Sequence, residues 1–549
     1  MLHHKDTTIV SEIKGFFTSA EKAVLLILDI LSSLKFSDKN FGFSTACNLQ
    51  FSSRLKLLLL IIFPFFQVKD PSAYASSGLY KVLACGKDVF YRLLSDSRIS
   101  WRRFSYSITK QLIKKIEKGD NEPSENPRCL IIDDTDFPKT GKCFELIGKV
   151  FSHVTHQCIL GYKVLFLGYF DGKSFLPLDF SFHGEKGKNE KKPYGLTKKE
   201  LKKRYSKKRD MSSNGQKRVD EYFTTKIASA ISMIANAIVQ GIRFDYILCD
   251  SWFTCLELIR FVKTRRIKCH LLGMVKNGTA KYTFNGKELT TKEIARQLAK
   301  KGLLKHSKLL GYYYSSAIVM YKGFEIKLFF TKTSKRENYN VLLSTNLELN
   351  FQQAYRIYAN RWSIEVFFRE GKQYLQMGKC ESQDFDAQIA ATTLCMLQYN
   401  LLAVVRRFSA YQTNGELFRD IEKDTLHLTV SEHIWQIIIE LVVEIADILT
   451  DYKGADTVVL DVSELSSWTD FFVIATIASG KQAGGLEVKI MEAAKEMQIE
   501  EYRTIRKSPD GDEWKLLDFG YIVVHLMSPT ARKFYDLERL WYDSPNLLV

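Results

Sequence analysis

Apolar residues recur at helical spacing through residues 23–34 and 55–63, which predicts a mainly helical segment over 1–118. The run 57–66 contains Pro64 and is too short to cross a bilayer, so it reads as a core helix ending near that proline. A polar, breaker-rich stretch, DNEPSENP at 120–127, predicts a linker. Strand patterns follow at 129–132, 161–170 and 174–182, with Asp171-Gly172 as the hairpin turn between the last two. Residues 222–239 have helical period, and 246–249 read as a short buried strand. Strand signals dominate 276–346, with turns at Asn285-Gly286 and Lys322-Gly323. Helical period returns over 351–408, where 387–407 is apolar almost throughout. A helix at 434–450 fits either neighbouring region. Beyond it come strands at 458–462 and 471–476, a helix at 489–497, a hairpin of 514–518 with 521–527 around Gly520, and a terminal helix at 534–541.

Two of the strand patterns end in acids. Residues 129–132 run into Asp133, Asp134, Thr135 and Asp136, and 246–249 run into Asp250, Ser251 and Trp252. An Asp just past a central strand is held at the sheet rim with its carboxylate in the crevice. A third polar set lies in YANRWSIEVFFREGK: Tyr358, Arg361, Glu365 and Lys372, with two, three and six residues between them. On one continuous helix these four fall within roughly a 60° arc, opposite Ile364, Phe367 and Phe368. One carboxylate flanked by two cations and a phenol suits a site that holds a metal and a phosphate together. Two Asp and one helical Glu can bind two Mg²⁺ about 4 Å apart, the arrangement that supports in-line phosphoryl displacement.

These residues, at this spacing, resemble the DDE transposases of bacterial insertion sequences, in the group with a Y-x2-R-x3-E-x6-K signature. The resemblance covers roughly residues 1–445. It implies an α/β multidomain fold: a ribonuclease H-like mixed-sheet core at 128–275 and 347–445, a helical DNA-binding and synapsis domain at 1–118, and a β-rich insertion at 276–346. It implies Asp134, Asp250 and Glu365 as catalytic, metal-binding acids, Asp134 because the family pattern is Asp followed by Thr. Asp136 is the other candidate for the first ligand, and Asp133 and Asp136 can each be turn or cap residues instead. Tyr358, Arg361 and Lys372 would contact phosphates near the cleaved end. The implied cofactor is two Mg²⁺, for which Mn²⁺ can substitute. The implied partners are the element's ends and target DNA, bound by a dimer in the synaptic complex. A related nuclease without strand transfer would cut DNA and leave no joined product.

Composition adds a boundary. The chain has 46% hydrophobic and 26% charged residues, a globular balance, and carries +17 overall. Residues 451–549 hold 17 acids against 11 bases, while residues 1–450 hold 68 bases against 45 acids. A polyanion partner therefore belongs to the first 450 residues. The densest basic stretch, 186–218, includes Lys202, Lys203 and Arg204, and reads either as a phosphate contact or as a solvated flexible loop. The ten cysteines include no C-x2-C pair and read as buried thiols in a reducing bacterial cytoplasm; no membrane partner is expected.

Over 451–549 the stretches ADTVVLDVSELSSWTDFFVIATIASGKQ and DGDEWKLLDFGYIVVHLMSPTARKFYDLERLW resemble the ribosomal silencing factor (iojap-like) family. This resemblance implies a small α/β domain at 446–549. It would bind the large ribosomal subunit and repress translation by blocking subunit joining. Trp514, Tyr535, Leu537, Leu540 and Trp541 are the candidate ribosome contacts, with packing in a small core as the equal alternative. The fusion can be read as a working transposase carrying a ribosome-binding module, or as a silencing factor carrying an inert transposase remnant.

Overall fold

The computed structural model describes residues 23–548 apart from 36–40, 44–52, 82–84, 121–123, 188, 266–267, 335–338, 463–465, 467–468, 497–498, 500, 502–512 and 543, with backbone alone at 78, 81 and 424–440. Parts of both stretches that resemble the silencing factors, 463–465, 467–468 and 510–512, lie outside the described residues. So do all of 1–22 and the last residue of the helix expected at 489–497. The chain divides into two compact units, Met1–Thr425 and Leu426–Val549.

The first unit opens with helices α1 (Ala23–Ser33), α2 (Ser53–Ile62), α3 (Asp88–Leu94) and α4 (Trp101–Gly119). Helix α2 gives way at Phe63 to a single 3-10 turn containing Pro64, which has no N–H to continue the α ladder. Strands β1 (Cys129–Pro138), β2 (Gly148–Ser152), β3 (Gln157–Phe170) and β4 (Phe175–His183) follow. After them come α5 (Lys198–Lys202), α6 (Asn214–Tyr222), α7 (Lys226–Val239), β5 (Tyr246–Cys249), α8 (Leu256–Thr264) and β6 (His270–Val275). The pattern at 222–239 resolves into two helices, because Thr225 caps α7 by accepting from the Ala228 N–H. Next are β7 (Lys281–Phe284), β8 (Lys287–Thr290), α9 (Thr291–Lys300), β9 (Lys305–Ser307), β10 (Tyr312–Tyr321), β11 (Phe324–Lys332) and β12 (Asn340–Ser344). The unit continues with α10 (Phe351–Ala359), α11 (Trp362–Tyr374) and α12 (Phe385–Arg407).

Among the described residues the twelve strands of this unit belong to one mixed sheet, ordered β2-β3-β1-β5-β6-β12-β11-β10-β7-β8, with β4 on β3 and β9 on β10. β1 is antiparallel to β3 and parallel to β5, and β5 is parallel to β6. The β-rich segment 276–346 extends this same sheet through the β12–β6 pairing, and it contains a helix, α9, that the strand signals did not predict. Helices α4, α6, α7, α11 and α12 all pack against β4, whose nine residues are buried throughout. Phe166, Phe180, Phe182 and Phe367 form a network of edge and tilted ring contacts at the centre. Helix α12 is long and apolar enough to cross a bilayer, yet 94% of its apolar window is buried inside the protein. It is the central core helix.

Helix α13 (Asn414–Asp451) runs through the point where the two units divide. The second unit holds β13 (Ala455–Asp461), β14 (Phe471–Thr476), α14 (Gly480–Glu496), β15 (Trp514–Asp518), β16 (Ile522–Met527), α15 (Pro529–Tyr535) and α16 (Leu537–Leu540). Its sheet is ordered β13-β14-β16-β15. Alternation along β14 sends Val473 and Ala475 to a core shared with Leu441, Ile445, Leu486 and Ile490. Phe472 and Ile474 go to the other face with Leu460, Val523 and Met527. The expected terminal helix at 534–541 is two helices, since Asp536 takes φ 41° between them.

Candidate functional site

β1 does not end at Ile132. It runs on to Pro138, so the acids lie inside the strand and alternate between its faces. The parallel register pairs Ile132 with Cys249, so Asp133 and Asp250 are the next residues beyond the last pair, near enough for Asp250 to raise the Asp133 carboxyl. Asp134 and Asp136 take the other face of β1 from Asp133. There Lys163 sits opposite Asp136 in the β1–β3 register and pairs with it, while Lys226 Nζ donates to Asp134 Oδ2 at 2.6 Å. Lys226 also lies 3.9 Å from the centre of the Trp252 ring. Asp134, expected as the first acid, and Asp136, its alternative, thus both carry lysine partners on the face of β1 opposite Asp133. Strand period, which the apolar run 129–132 was too short to extend through the acids, decides the face.

The signature stretch also differs from the single helix expected. Tyr358 lies in the last turn of α10, Arg361 stands at the break before α11, Glu365 lies in the first turn of α11 and Lys372 in its last. The break still brings the side chains onto the Asp133 face. Arg361 Nη1 donates to Asp133 Oδ2 at 2.9 Å, and Nη2 donates to Glu365 Oε1. Lys372 Nζ donates to Thr135 Oγ1 at 2.6 Å, two residues along β1 on the same face. The Tyr358 ring centre is 5.8 Å from the Arg361 guanidinium carbon. Asp250 Oδ1 accepts from the backbone N–H groups of Trp252 and Phe253 at 2.9 and 3.1 Å, so a turn fixes this carboxylate. Ile364, Phe367 and Phe368 are buried, as the periodicity indicates.

Electrostatics single out the Asp133 face. Burial pushes the Asp133 carboxyl up to about 7; Arg361 opposes this, and the neighbouring Asp250 adds to it. Burial lifts the Tyr358 phenol well above its ordinary range. Burial works against the Arg361 charge, but Tyr358, Asp133 and Glu365 outweigh it and raise its pKa. Lys372 is lowered by burial, against the pull of Asp136. As donors, Asp133 and Asp250 fit a cation as a carboxylate pair. Glu365 is tied by the guanidinium that stands between it and Asp133. Among the described residues no three His, Cys, Asp or Glu side chains converge closely enough to hold an ion between them.

The basic stretch 186–218 is pinned in part. Lys207 Nζ donates to Asp384 and Asp386 at 2.8 and 2.9 Å, and Arg209 Nη2 to Glu145 at 2.6 Å. Arg204 Nη1 donates to the Ile147 carbonyl at 3.1 Å. Lys202 and Lys203 remain exposed at the end of α5. Of the cysteines, Cys143 and Cys158 are exposed, against the buried reading. In the second unit Trp514 packs on Tyr535 at 4.6 Å and Trp541 on Phe472 at 5.4 Å, while Leu537 rests on the same core cluster. Leu540 is 70% exposed and Tyr535 39%. His525 is buried beneath this layer, and burial lowers its pKa to about 4.

Two family models match the chain. One, described as DDE superfamily endonuclease, matches residues 80–283, which include Asp133 and Asp250 and stop short of Glu365. The other, described as Ribosomal silencing factor during starvation, matches residues 436–548. The ribosomal silencing factor RsfS of Treponema pallidum is 39% identical over 99 residues, 18% of this chain and 87% of the relative. The chloroplastic protein Iojap of Arabidopsis thaliana is 36% identical over 109 residues, 19% of this chain; the chain spans only 43% of that relative's length. A cryo-EM structure of the piggyBac transposase synaptic complex with hairpin DNA is 13% identical over 75% of this chain and 81% of that one. The TM-score is 0.39. The chain thus carries a DDE superfamily endonuclease domain, and through residues 436–548 it belongs to the ribosomal silencing factor family.

Proposed function

We propose that the first unit is a DNA transposase that cleaves and joins element ends with Asp133, Asp250 and Glu365 as its acids. The observation that carries this is the closeness of Asp133 and Asp250, one residue beyond the last β1–β5 pair, with Arg361 bridging Asp133 to Glu365. The strand order β4-β3-β1-β5-β6, antiparallel on one side of β1 and parallel on the other, supports a ribonuclease H-like core. Two Mg²⁺, or Mn²⁺ in their place, would neutralise the clustered acids and supply Lewis-acid activation of a water or sugar hydroxyl. Asp133 and Asp250 would hold them, and Glu365 would join once Arg361 moved to a phosphate. The guanidinium fork suits that exchange, because phosphate and carboxylate accept the same pair of N–H bonds. Tyr358 stays protonated and can donate to a phosphate oxygen, and Lys372, held by Thr135, offers a second cation along the strand. Lys202, Lys203 and Arg204 would contact DNA farther from the acids, and the working unit on DNA would be a dimer in the cytoplasm.

For the second unit we propose docking to the large ribosomal subunit in a way that blocks subunit joining. Exposed Leu540 and Tyr535 are the contacts, with Trp514, Leu537 and Trp541 holding the layer beneath. The test of the first unit is a Mg²⁺-dependent cleavage assay on DNA that carries the sequence flanking this gene. Asp250→Asn and Glu365→Gln are expected to abolish cleavage while leaving DNA binding intact; undiminished cutting by either variant refutes the assignment. A second reading, an inert remnant attached to a silencing factor, is favoured by one observation: Arg361 occupies both Asp133 and Glu365. It predicts no cleavage by the wild-type chain under any divalent ion, together with recovery of large ribosomal subunits in a pull-down.

A further inference from the structure

A cavity of about 210 Å³ lies beside the first turn of α4, walled by Ser100–Arg103 and by Lys217 and Arg218 of α6. Helix α4 is 19 residues long and begins with no side-chain cap and no acid in its first turn. Its leading N–H groups and the positive end of its dipole are thus left without a nearby negative group from the helix itself. Arg218 is 8% exposed. Its Nη1 donates to the Phe180 carbonyl and to Glu221 at 2.9 Å, but Nε and Nη2 find no acceptor among the described residues. The Trp101 indole N–H, on the same wall and 4% exposed, finds none either. Unmet donors on buried groups are costly, and a charged one most of all. The acids on the wall are already engaged, Asp96 by Arg98 and Asp386 by Lys207 and Arg209. Burial, then the neighbouring Arg102, brings the Arg218 pKa down to about 10 against the pull of Glu221 and Asp179.

Among the described residues every unmet group on this wall is a donor, and with Arg102 and Arg218 balanced by Asp179 and Glu221 the surplus charge is that of Arg103 and Lys217, so the missing partner is an acceptor that carries negative charge. We propose that the cavity is a phosphate site, seated on the α4 N-terminus and bound by Arg218, Trp101, Arg103 and Lys217. The phosphate comes either from the free anion or from a polynucleotide backbone. An adjoining groove shares Arg103 and Gln240 with the cavity and continues along α4 past Lys110 and Lys114. These cations recur at helical spacing on one face, which is how consecutive backbone phosphates would be met. The site lies apart from the carboxylate cluster and does not depend on the nuclease reading.

The test uses the full chain, free of metal, in a phosphate titration at constant ionic strength with chloride as the control. A saturable rise of a few degrees in the unfolding midpoint with phosphate, and none with chloride, is expected. Arg103→Gln with Lys217→Gln changes only exposed residues and is expected to weaken phosphate binding tenfold or more; Trp101→Phe weakens it less. The same charge change at Lys300 and Lys301, at the C-terminal end of α9 and outside the cavity and groove, is expected to leave binding unchanged. No phosphate-specific rise, or a rise equally reduced in both charge pairs, or one untouched by Arg103→Gln with Lys217→Gln, overturns the site. Competition by a short DNA duplex assigns the phosphate to a polynucleotide, and lack of competition assigns it to the free anion; either supports the site.

Discussion

On one face of β1, Asp133 and Thr135 meet Arg361, Lys372 and the neighbouring Asp250; on the other, Asp134 and Asp136 meet Lys226 and Lys163. The residue types are the same and the company is opposite. Each acid on the second face has a lysine partner, and Lys163, 2% exposed, also donates to the Phe151 carbonyl at 2.8 Å. That face is settled and holds the sheet together. The first face is not settled. Two carboxylates stand side by side with one guanidinium shared between Asp133 and Glu365, and burial keeps a proton on Asp133 to about pH 7. In the proposed site an incoming cation or phosphate would resolve this mismatch.

The largest effect that tests this contrast is on cleavage. Asp133→Asn is expected to reduce DNA cutting at least about ten-thousand-fold, and Asp134→Asn no more than about tenfold. The reverse ranking in a plasmid-cleavage assay would move the site to the lysine-paired face. Next in size is stability. Lys163→Met leaves Asp136 without its buried partner and is expected to cost about 3–5 kcal/mol in urea unfolding, whereas Lys372→Met on the other face costs under about 1 kcal/mol. Equal costs would erase the distinction between a structural and a functional face. Arg361→Lys keeps the charge and loses the fork that spans Asp133 and Glu365. Cleavage is expected to fall about 10–100-fold with the unfolding midpoint nearly unchanged.

The smallest effect is the dependence of stability on pH. Asp133 has a raised carboxyl pKa, so the folded chain binds its proton more tightly than the unfolded chain does. That contribution to stability is fully present below the ordinary carboxylate range and is lost as pH rises through about 7. Without metal, stability should fall across this window in the wild type and in Asp134→Asn, and the fall should flatten in Asp133→Asn. A profile identical in all three chains would remove Asp133 as the titrating group.

Several elements were legible along the chain because local chemistry decides them. Asp171-Gly172 turns between β3 and β4, with Gly172 at φ 106°, and the apolar runs at 246–249 and 471–476 became strands with those same bounds. The helix break at Phe223–Thr225 had a readable sign in the Thr225 cap, and the turn at Asp536 had none, since an Asp at positive φ is a tertiary outcome. The segment at 276–346 read correctly as strand-rich. Its joining to the main sheet through β12 and β6 depends on pairing over long sequence separation, which periodicity does not encode. The basic run 186–218 read as a surface because its lysines are dense; Lys207 and Arg209 are instead drawn inward by Glu145, Asp384 and Asp386, acids remote in the chain.

Residue order alone determined that acids follow two apolar runs, that a Tyr-Arg-Glu-Lys set stands at fixed spacing, and that an acidic α/β module follows a basic region. Those are properties of neighbours within a few residues and of summed charge. It left undecided which of Asp133, Asp134 and Asp136 belongs with Asp250. Adjacent residues of a strand point to opposite faces, so the choice rests on the register of β1 against β5 and on where α11 lays Arg361, and only the folded sheet supplies either.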